Sequence, residues 1–234
     1  MAMQWDEGKA NWDNSYEGGG NICFYPHEEV VRFVNRYIRK RDGINDFHNV
    51  MDLTESEWDS FKSLDLGCGI GRHMKFLDEF GLNPYGIDLS NTAISIGKSW
   101  FQDMGREDLA DKMIIGSVTD LPYDDESFWM CVSCGVLDSM RREVAQKGIE
   151  EALRVIKKNG LMYLNLIMGA QDKNGDEIVD FGYERGTVQS YFTCDSIKEF
   201  LGNKVEIIRF EIIIQKDDKQ NVLGKRAHLV IRKR

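Results

Sequence analysis

The chain has 234 residues, 42% hydrophobic and 29% charged, a balance that excludes a disordered or fibrous polypeptide. Lys and Arg number 30 against 39 Asp and Glu, a net charge of −9 that argues against a nucleic-acid backbone or an anionic membrane surface as the main partner. Only three prolines and no Pro-, Ser- or Gly-rich linker interrupt it, so one domain over 1–234 is expected. The N-terminal stretch lacks the apolar segment of a secretory signal, and no apolar run is long enough to span a membrane. The five cysteines are odd in number and scattered, which suits a reducing, cytoplasmic location.

Residues 1–40 read as an N-terminal arm. Trp5, Trp12, Tyr16, Phe24 and Tyr25 are too many aromatics for a disordered tail, so the arm is expected to pack on the domain or to close over a site as a lid. Val30, Val31, Phe33, Val34, Tyr37 and Ile38 predict a helix over 28–39. Polar residues over 42–60 predict a loop with a short helix. Short apolar runs then alternate with amphipathic stretches. Strands are predicted over 61–66, 83–89, 113–116, 128–135 and 161–168, and helices over 71–80, 92–104 and 142–156. Gly81 stops the first of these helices, and Asn159-Gly160 turns the chain after the last. Residues 169–192 read as a long polar loop, of a length that is usually functional. Thr193 caps a helix running to Phe200, and 205–215 and 226–231 read as two antiparallel strands. Arg232, Lys233 and Arg234 read as a solvated edge. The fold class is α/β, with a seven-stranded, mostly parallel sheet, an antiparallel last strand and helices on both faces.

The chemistry concentrates in SLDLGCGIGRHMKFL, residues 63–77, a strand, a glycine-rich turn and a helix. Gly67, Gly69 and Gly71 allow backbone to approach a ligand closely, and the helix start offers free N–H groups. Asp65 stands at the strand's carboxyl end, where it can hold a cation. Asp88, at the end of the next strand, stands where an acid meets ribose hydroxyls in doubly wound folds. A nicotinamide site needs its third glycine three places after the second. That place is Arg72 or Met74, depending on which pair is counted, so neither register fits. The D-x-G-x-G-x-G spacing suits a sulfonium bearing an amino acid and an adenosine.

In these residues the chain resembles the class I S-adenosylmethionine-dependent methyltransferases, of the small-molecule type. The resemblance rests on DLGCGIG at 65–71, GIDLS at 86–90, GSVTDLPYDDESF at 116–128, VSCGVLDSM at 132–140 and EALRVIKKNGLMYLNL at 151–166. It covers 61–168 and implies a Rossmann-like cofactor core there, with 169–234 on the acceptor side. It implies S-adenosyl-L-methionine as cofactor, held by Asp65, Gly67, Cys68, Gly69, Gly71, Arg72, Asp88, Leu89, Ser117, Val118, Thr119 and the backbone of Cys134. It departs in two places. Relatives often carry an acid where Ser117 stands, which leaves Asp120 as a neighbouring acid, and often carry histidines where Asp138 and Ser139 stand.

His27, Asp138 and Tyr191 are the acceptor-side catalytic candidates; His48, His73 and His228 read as surface or structural residues. Cys131 and Cys134 form a C-x-x-C inside a strand, facing opposite sides, with no second pair for zinc. Residues 172–184 resemble a calcium loop only superficially, because Glu177 replaces the required glycine and Tyr183 the closing glutamate. The expected reaction is methyl transfer to an oxygen or nitrogen of a small molecule, without nucleic acid, membrane or metal. A cofactor-binding module without turnover and a protein-directed methyltransferase are the alternatives.

Overall fold

The computed structural model describes residues 2–169 and 173–234, with side chains from Gly8 onward. In chain order the elements are α1 (Ala2–Glu17), α2 (Glu28–Phe33) with a π-helical turn (Val34–Ile38), β1 (Arg39–Arg41), β2 (Phe47–Asn49), α3 (Glu55–Asp59), β3 (Ser63–Leu66), α4 (Arg72–Glu79), β4 (Pro84–Asp88), α5 (Asn91–Asp103), α6 (Glu107–Ala110), β5 (Met113–Ile115), β6 (Phe128–Ser133), α7 (Arg142–Val155), β7 (Ile156–Ile167), β8 (Gly175–Ile178), β9 (Val188–Tyr191), α8 (Cys194–Leu201), β10 (Val205–Lys216) and β11 (Val222–Lys233).

Seven strands form one sheet in the order β10-β11-β7-β6-β3-β4-β5. β3 pairs in parallel with both β4 and β6, so the chain order reverses between β3 and β6. A crevice opens outside the carboxyl ends of the strands at such a reversal. β11 runs antiparallel between β7 and β10, the expected closing hairpin. β3 and β6 are buried along their whole length, the polar Ser63, Asp65 and Ser133 included.

Three clusters hold the layers together. One face of the sheet packs Leu64, Leu66, Cys131 and Leu164 against α7 and α8. The other packs Val132, Tyr163 and Val230 against α2, α4 and the π-helical turn. Met74, Phe101 and Met113 close the β5 end against α5 and α6. Cys131 and Cys134 fall on opposite faces, as their spacing predicts.

Four local expectations need correction. The polar 42–60 stretch contains the second strand of a small hairpin, with Arg39 paired to Asn49, as well as α3. No turn separates α7 from the following strand: β7 begins at Ile156, and Asn159 takes a left-handed φ of 65° within it. The expected 169–192 loop carries the hairpin β8–β9, with Gly175 opposite Tyr191. Residues 170–172 lie outside the described residues, so the start of the calcium-like segment does too. The C-terminal cations are engaged: Lys233 donates to the Ile156 carbonyl at 2.7 Å and Arg232 pairs with Glu206 at 3.0 Å. Among the described residues no helix is long and apolar enough to cross a membrane.

Candidate active site

Beyond Leu66 the backbone turns left-handed at Gly67 (φ 66°) and Gly69 (φ 55°), a conformation that a side chain would strain. A Cβ on Gly67 would meet Val136 at 2.5 Å, and one on Gly69 would meet the Tyr16 hydroxyl at 2.5 Å. Gly71 serves packing instead: a Cβ there would strike the Phe101 ring at 2.8 Å, so it lets α4 lie against α5. Cys68 is buried behind the turn, and its N–H donates to the Ile87 carbonyl at 3.0 Å.

The end of β4 is tied into this turn. One Asp88 oxygen accepts from the Gly69 N–H at 2.8 Å and the other from the Ser90 N–H at 2.9 Å. Burial raises the Asp88 pKa to about 6, although both backbone donors oppose the rise. The carboxylate therefore stands fixed, with lone pairs left for further donors.

A cavity of about 380 Å³ opens over these residues. Gly67, Asp88, Leu89, Ser117, Val118 and Gly135 form its floor. Ser139, Met140, Arg141, Glu143, Val144 and Lys147 supply a wall. The roof comes from two distant segments: Gly8, Asn11, Trp12 and Tyr16 of α1, and Ile178 with Gly186, Thr187 and Val188 around the β8–β9 hairpin.

Specific contacts hold the roof. The Asp13 carboxylate accepts from the Ser90 hydroxyl at 2.6 Å and the Thr92 N–H at 3.0 Å, so α1 caps the start of α5. Asn11 donates to the Gly186 carbonyl at 2.7 Å. The Tyr183 ring sits where a Cβ on Gly20 would lie, 2.2 Å away, so only glycine fits there. Burial and the Asp88 charge keep the Tyr16 phenol protonated, well above its usual pKa. Phe24 packs edge-on against Trp100 at 4.9 Å, whereas Tyr25 is exposed.

Asp65 is almost fully buried at the end of β3, and among the described residues neither carboxylate oxygen has a hydrogen-bond partner. Its nearest charged neighbour is His73 Nδ1 at 3.4 Å, on the first turn of α4. Arg72 opens α4, half-buried near Cys23, Cys134 and Asp65. A buried carboxylate without partners is costly unless a cation completes it, and the ammonium of an amino-acid tail would do so.

Of the predicted cofactor residues, Gly67, Asp88, Leu89, Ser117 and Val118 line the cavity. Gly69 joins them through Asp88, and Thr119 through its hydroxyl contact with Ser117 at 3.0 Å. Asp65, Cys68, Gly71, Arg72 and Cys134 lie beside or behind the turn; Cys134 receives a long contact from Asn165 at 3.6 Å. Asp120 is exposed.

The three catalytic candidates are not brought together. His27 caps α2, its Nδ1 accepting from the Glu29 N–H at 3.1 Å, with its ring 5.7 Å from that of His228. Asp138 is fully buried as a brace: it accepts from the Ile167 N–H at 2.8 Å and from Arg226 at 2.5 Å. Tyr191 lies under the Lys173 ammonium, and its hydroxyl donates to Gln189 at 3.2 Å. None of the three lines the cavity.

Asn11, Thr187 and Val188 in the roof, and Asn165, whose side chain accepts from the Gly135 N–H at 2.7 Å, carry no local sequence signal of their place at the site. Of the histidines expected at the surface or in a structural role, His48 is exposed, while His73 and His228 are buried, His73 against Asp65. A helical side chain leans back toward the helix N-terminus, which aims His73 at the end of β3.

An open, mostly parallel sheet with a glycine turn and an acid on the neighbouring strand defines a nucleotide-binding domain of the doubly wound class. Residues 64–164 match the family described as "Methyltransferase domain". A sterol 4-C-methyltransferase of Caenorhabditis elegans is 24% identical over 165 residues, 68% of this chain and 45% of its own length. The chain thus spans less than half of that relative. A S-adenosylmethionine-dependent methyltransferase of Methanosarcina mazei superimposes with a TM-score of 0.60 at 19% identity, covering 78% of this chain and 99% of that one. The Burkholderia thailandensis 1,6-didemethyltoxoflavin-N1-methyltransferase, bound to S-adenosylhomocysteine, gives 0.68 at 12% identity over 99% of this chain and 89% of its own. Residues 64–164 thus match a methyltransferase domain, and the two solved structures share the fold that surrounds it. The left-handed glycines, the anchored Asp88 and the unpartnered Asp65 fit S-adenosylmethionine.

Proposed function

We propose that the chain works as one domain that transfers a methyl group from S-adenosylmethionine to an oxygen or nitrogen of a small molecule. The observation that carries this reading is Asp88, clamped by the Gly69 and Ser90 N–H groups at the floor of a roofed cavity. In this reading Asp88 accepts from the ribose hydroxyls. Leu89, Ser117, Val118 and Thr119 surround the adenine. Asp65 receives the ammonium and Arg72 the carboxylate of the amino-acid tail. Gly67 and Gly69 keep the floor free of side chains, Cys68 and Gly71 support it from behind, and Cys134 leads the backbone past the sulfonium end. When bound, the cofactor supplies a methyl group already activated for transfer.

What is left to the protein is positioning and the exclusion of water. Trp12 and Tyr16 of α1 act as the lid, latched through Asp13 and Asn11. Val136, Met140, Val144, Ile178 and Val188 give the cavity a largely apolar lining, which suits a compact acceptor rather than a polymer. The net charge of −9 also disfavours nucleic acid. The names of two relatives point the same way, to a sterol and a didemethyltoxoflavin. Burial and the Arg72 charge hold the His27 pKa below the usual value; because Nδ1 accepts from the Glu29 N–H, the proton of the neutral ring lies on Nε2, and His27 is a cap of α2 rather than a base. Asp138 and Tyr191 act as braces of the acceptor side.

The test supplies methyl-labelled S-adenosylmethionine with a small-metabolite extract and, separately, with a protein extract. Label is expected in low-mass products. Label in protein alone would instead favour a protein-directed enzyme, and binding without turnover a cofactor-binding module.

A further inference from the structure

Asp65 and His73 form a buried pair whose role the reaction above does not explain. Their side chains are 1% and 5% exposed, and His73 Nδ1 stands 3.4 Å from one Asp65 oxygen. That contact does not satisfy the carboxylate, since among the described residues both oxygens remain without a hydrogen bond. On its other side, His73 Nε2 accepts from the His27 N–H at 3.3 Å. Burial opposes charging of the ring, but the Asp65 charge wins and raises the His73 pKa to about 9; whether the ring is neutral or charged, Nδ1 carries a proton toward Asp65. The ring thus bridges the end of β3 to the segment that leads into α2.

We infer that His73 is a positioning residue that holds Asp65 oriented toward the ammonium group of the cofactor's amino-acid tail, and so helps the protein distinguish that tail from a bare adenosyl thioether. The inference rests on the cofactor assignment above and deepens it. The charge contact with Nδ1 at 3.4 Å holds one side of the Asp65 carboxylate, and its oxygens keep hydrogen-bonding capacity for the ammonium. His73 itself cannot swing away, because α4 and the His27 N–H fix both ends of the ring. Arg72, Cys134 and His27 surround the pair, and none of them hydrogen-bonds to Asp65.

The inference separates two probes that share the adenosyl group. S-adenosylhomocysteine carries the amino-acid tail; 5′-methylthioadenosine lacks it. A merely structural histidine would weaken both alike when replaced. His73→Gln removes the donor facing Asp65, and His73→Asn keeps a donor near the Nδ1 position. Calorimetric titration of the full chain should show His73→Gln weakening S-adenosylhomocysteine by about tenfold, a loss of about 1.4 kcal/mol, with 5′-methylthioadenosine changed by less than about twofold. His73→Asn should restore most of that affinity. Asp65→Asn should reproduce the selective loss, which keeps the test decisive if His73→Gln does not fold. Equal weakening of both probes, or unchanged S-adenosylhomocysteine affinity in a folded His73→Gln, would overturn the inference. Equal affinity of the unaltered protein for both probes would overturn it while leaving the adenosyl site standing. Failure of the unaltered protein to bind either would overturn the cofactor assignment itself.

Discussion

The floor of the cavity forms where strands stop, and its roof forms where distant segments meet. In the floor, β3 and β4 end side by side, and backbone N–H groups of the next few residues close on Asp88. In the roof, α1 reaches α5 through Asp13 and the β8–β9 hairpin through Asn11, across sequence separations of 77 and 175 residues. The floor is therefore pre-organised by local turns within a buried sheet, while the roof depends on a few contacts at its margins. Elements with few buried apolar contacts open first. Cofactor affinity should therefore reside in the floor, and access and release in the roof.

The largest expected effect strikes where the two regions touch. Gly69→Val places a branched side chain at a left-handed φ, where even a Cβ would lie 2.5 Å from the Tyr16 hydroxyl. The left-handed strain costs about 1–2 kcal/mol, and the side chain would fill the cofactor's path. Binding of S-adenosylhomocysteine should become undetectable by calorimetry, while the circular dichroism spectrum stays that of the folded domain.

Next comes the floor alone. Asp88→Ala removes a charged acceptor worth about 1.5–3 kcal/mol, so the dissociation constant should rise by roughly 10- to 100-fold. An unchanged constant would remove Asp88 from the ribose contact.

A smaller effect should appear on acidification. Because the folded-state pKa of Asp88 is raised to about 6, its carboxylate gains a proton as pH falls through that value and loses acceptor capacity. Between about pH 7.5 and 5 the affinity should therefore weaken by roughly tenfold, and Asp88→Asn should flatten that dependence.

The smallest effect on affinity belongs to the roof. Asp13→Ala removes a cap worth about 1 kcal/mol, so the dissociation constant should rise only about fivefold. The change should fall mainly in the release rate, read by stopped-flow fluorescence of Trp12 and its neighbours. A loss as large as that of Asp88→Ala would erase the distinction between floor and roof.

The same division explains what could be read from the sequence. The glycines at 67, 69 and 71, Asp88 and the apolar strands carry their physics in neighbouring residues, so the turn, the strands and the mostly parallel sheet were legible. The antiparallel hairpin at the end was legible for the same reason, since two alternating segments flank a polar turn. The β8–β9 hairpin was not, because its pairing sets polar Asp176 against Ser190 and Glu177 against Gln189, without an apolar alternation to announce it. Asp138 looked like an acceptor-side acid because it follows a strand end. Its partner Arg226 lies 88 residues away, and only the fold reveals that the pair is a buried brace. His73 was obscured in the same manner, since its partner Asp65 is reached by a helix doubling back along β3. Trp12 and Tyr16 were marked by aromatic density, but their position over the cavity depends on the Asp13 contact with Ser90.

One measurement reaches the centre of this account: calorimetric titration of the unaltered full chain with S-adenosylhomocysteine and, in parallel, with NAD. The floor described here predicts saturable binding of the thioether at one site per chain and no heat from the dinucleotide. Saturable binding of NAD, or none of S-adenosylhomocysteine, would contradict it.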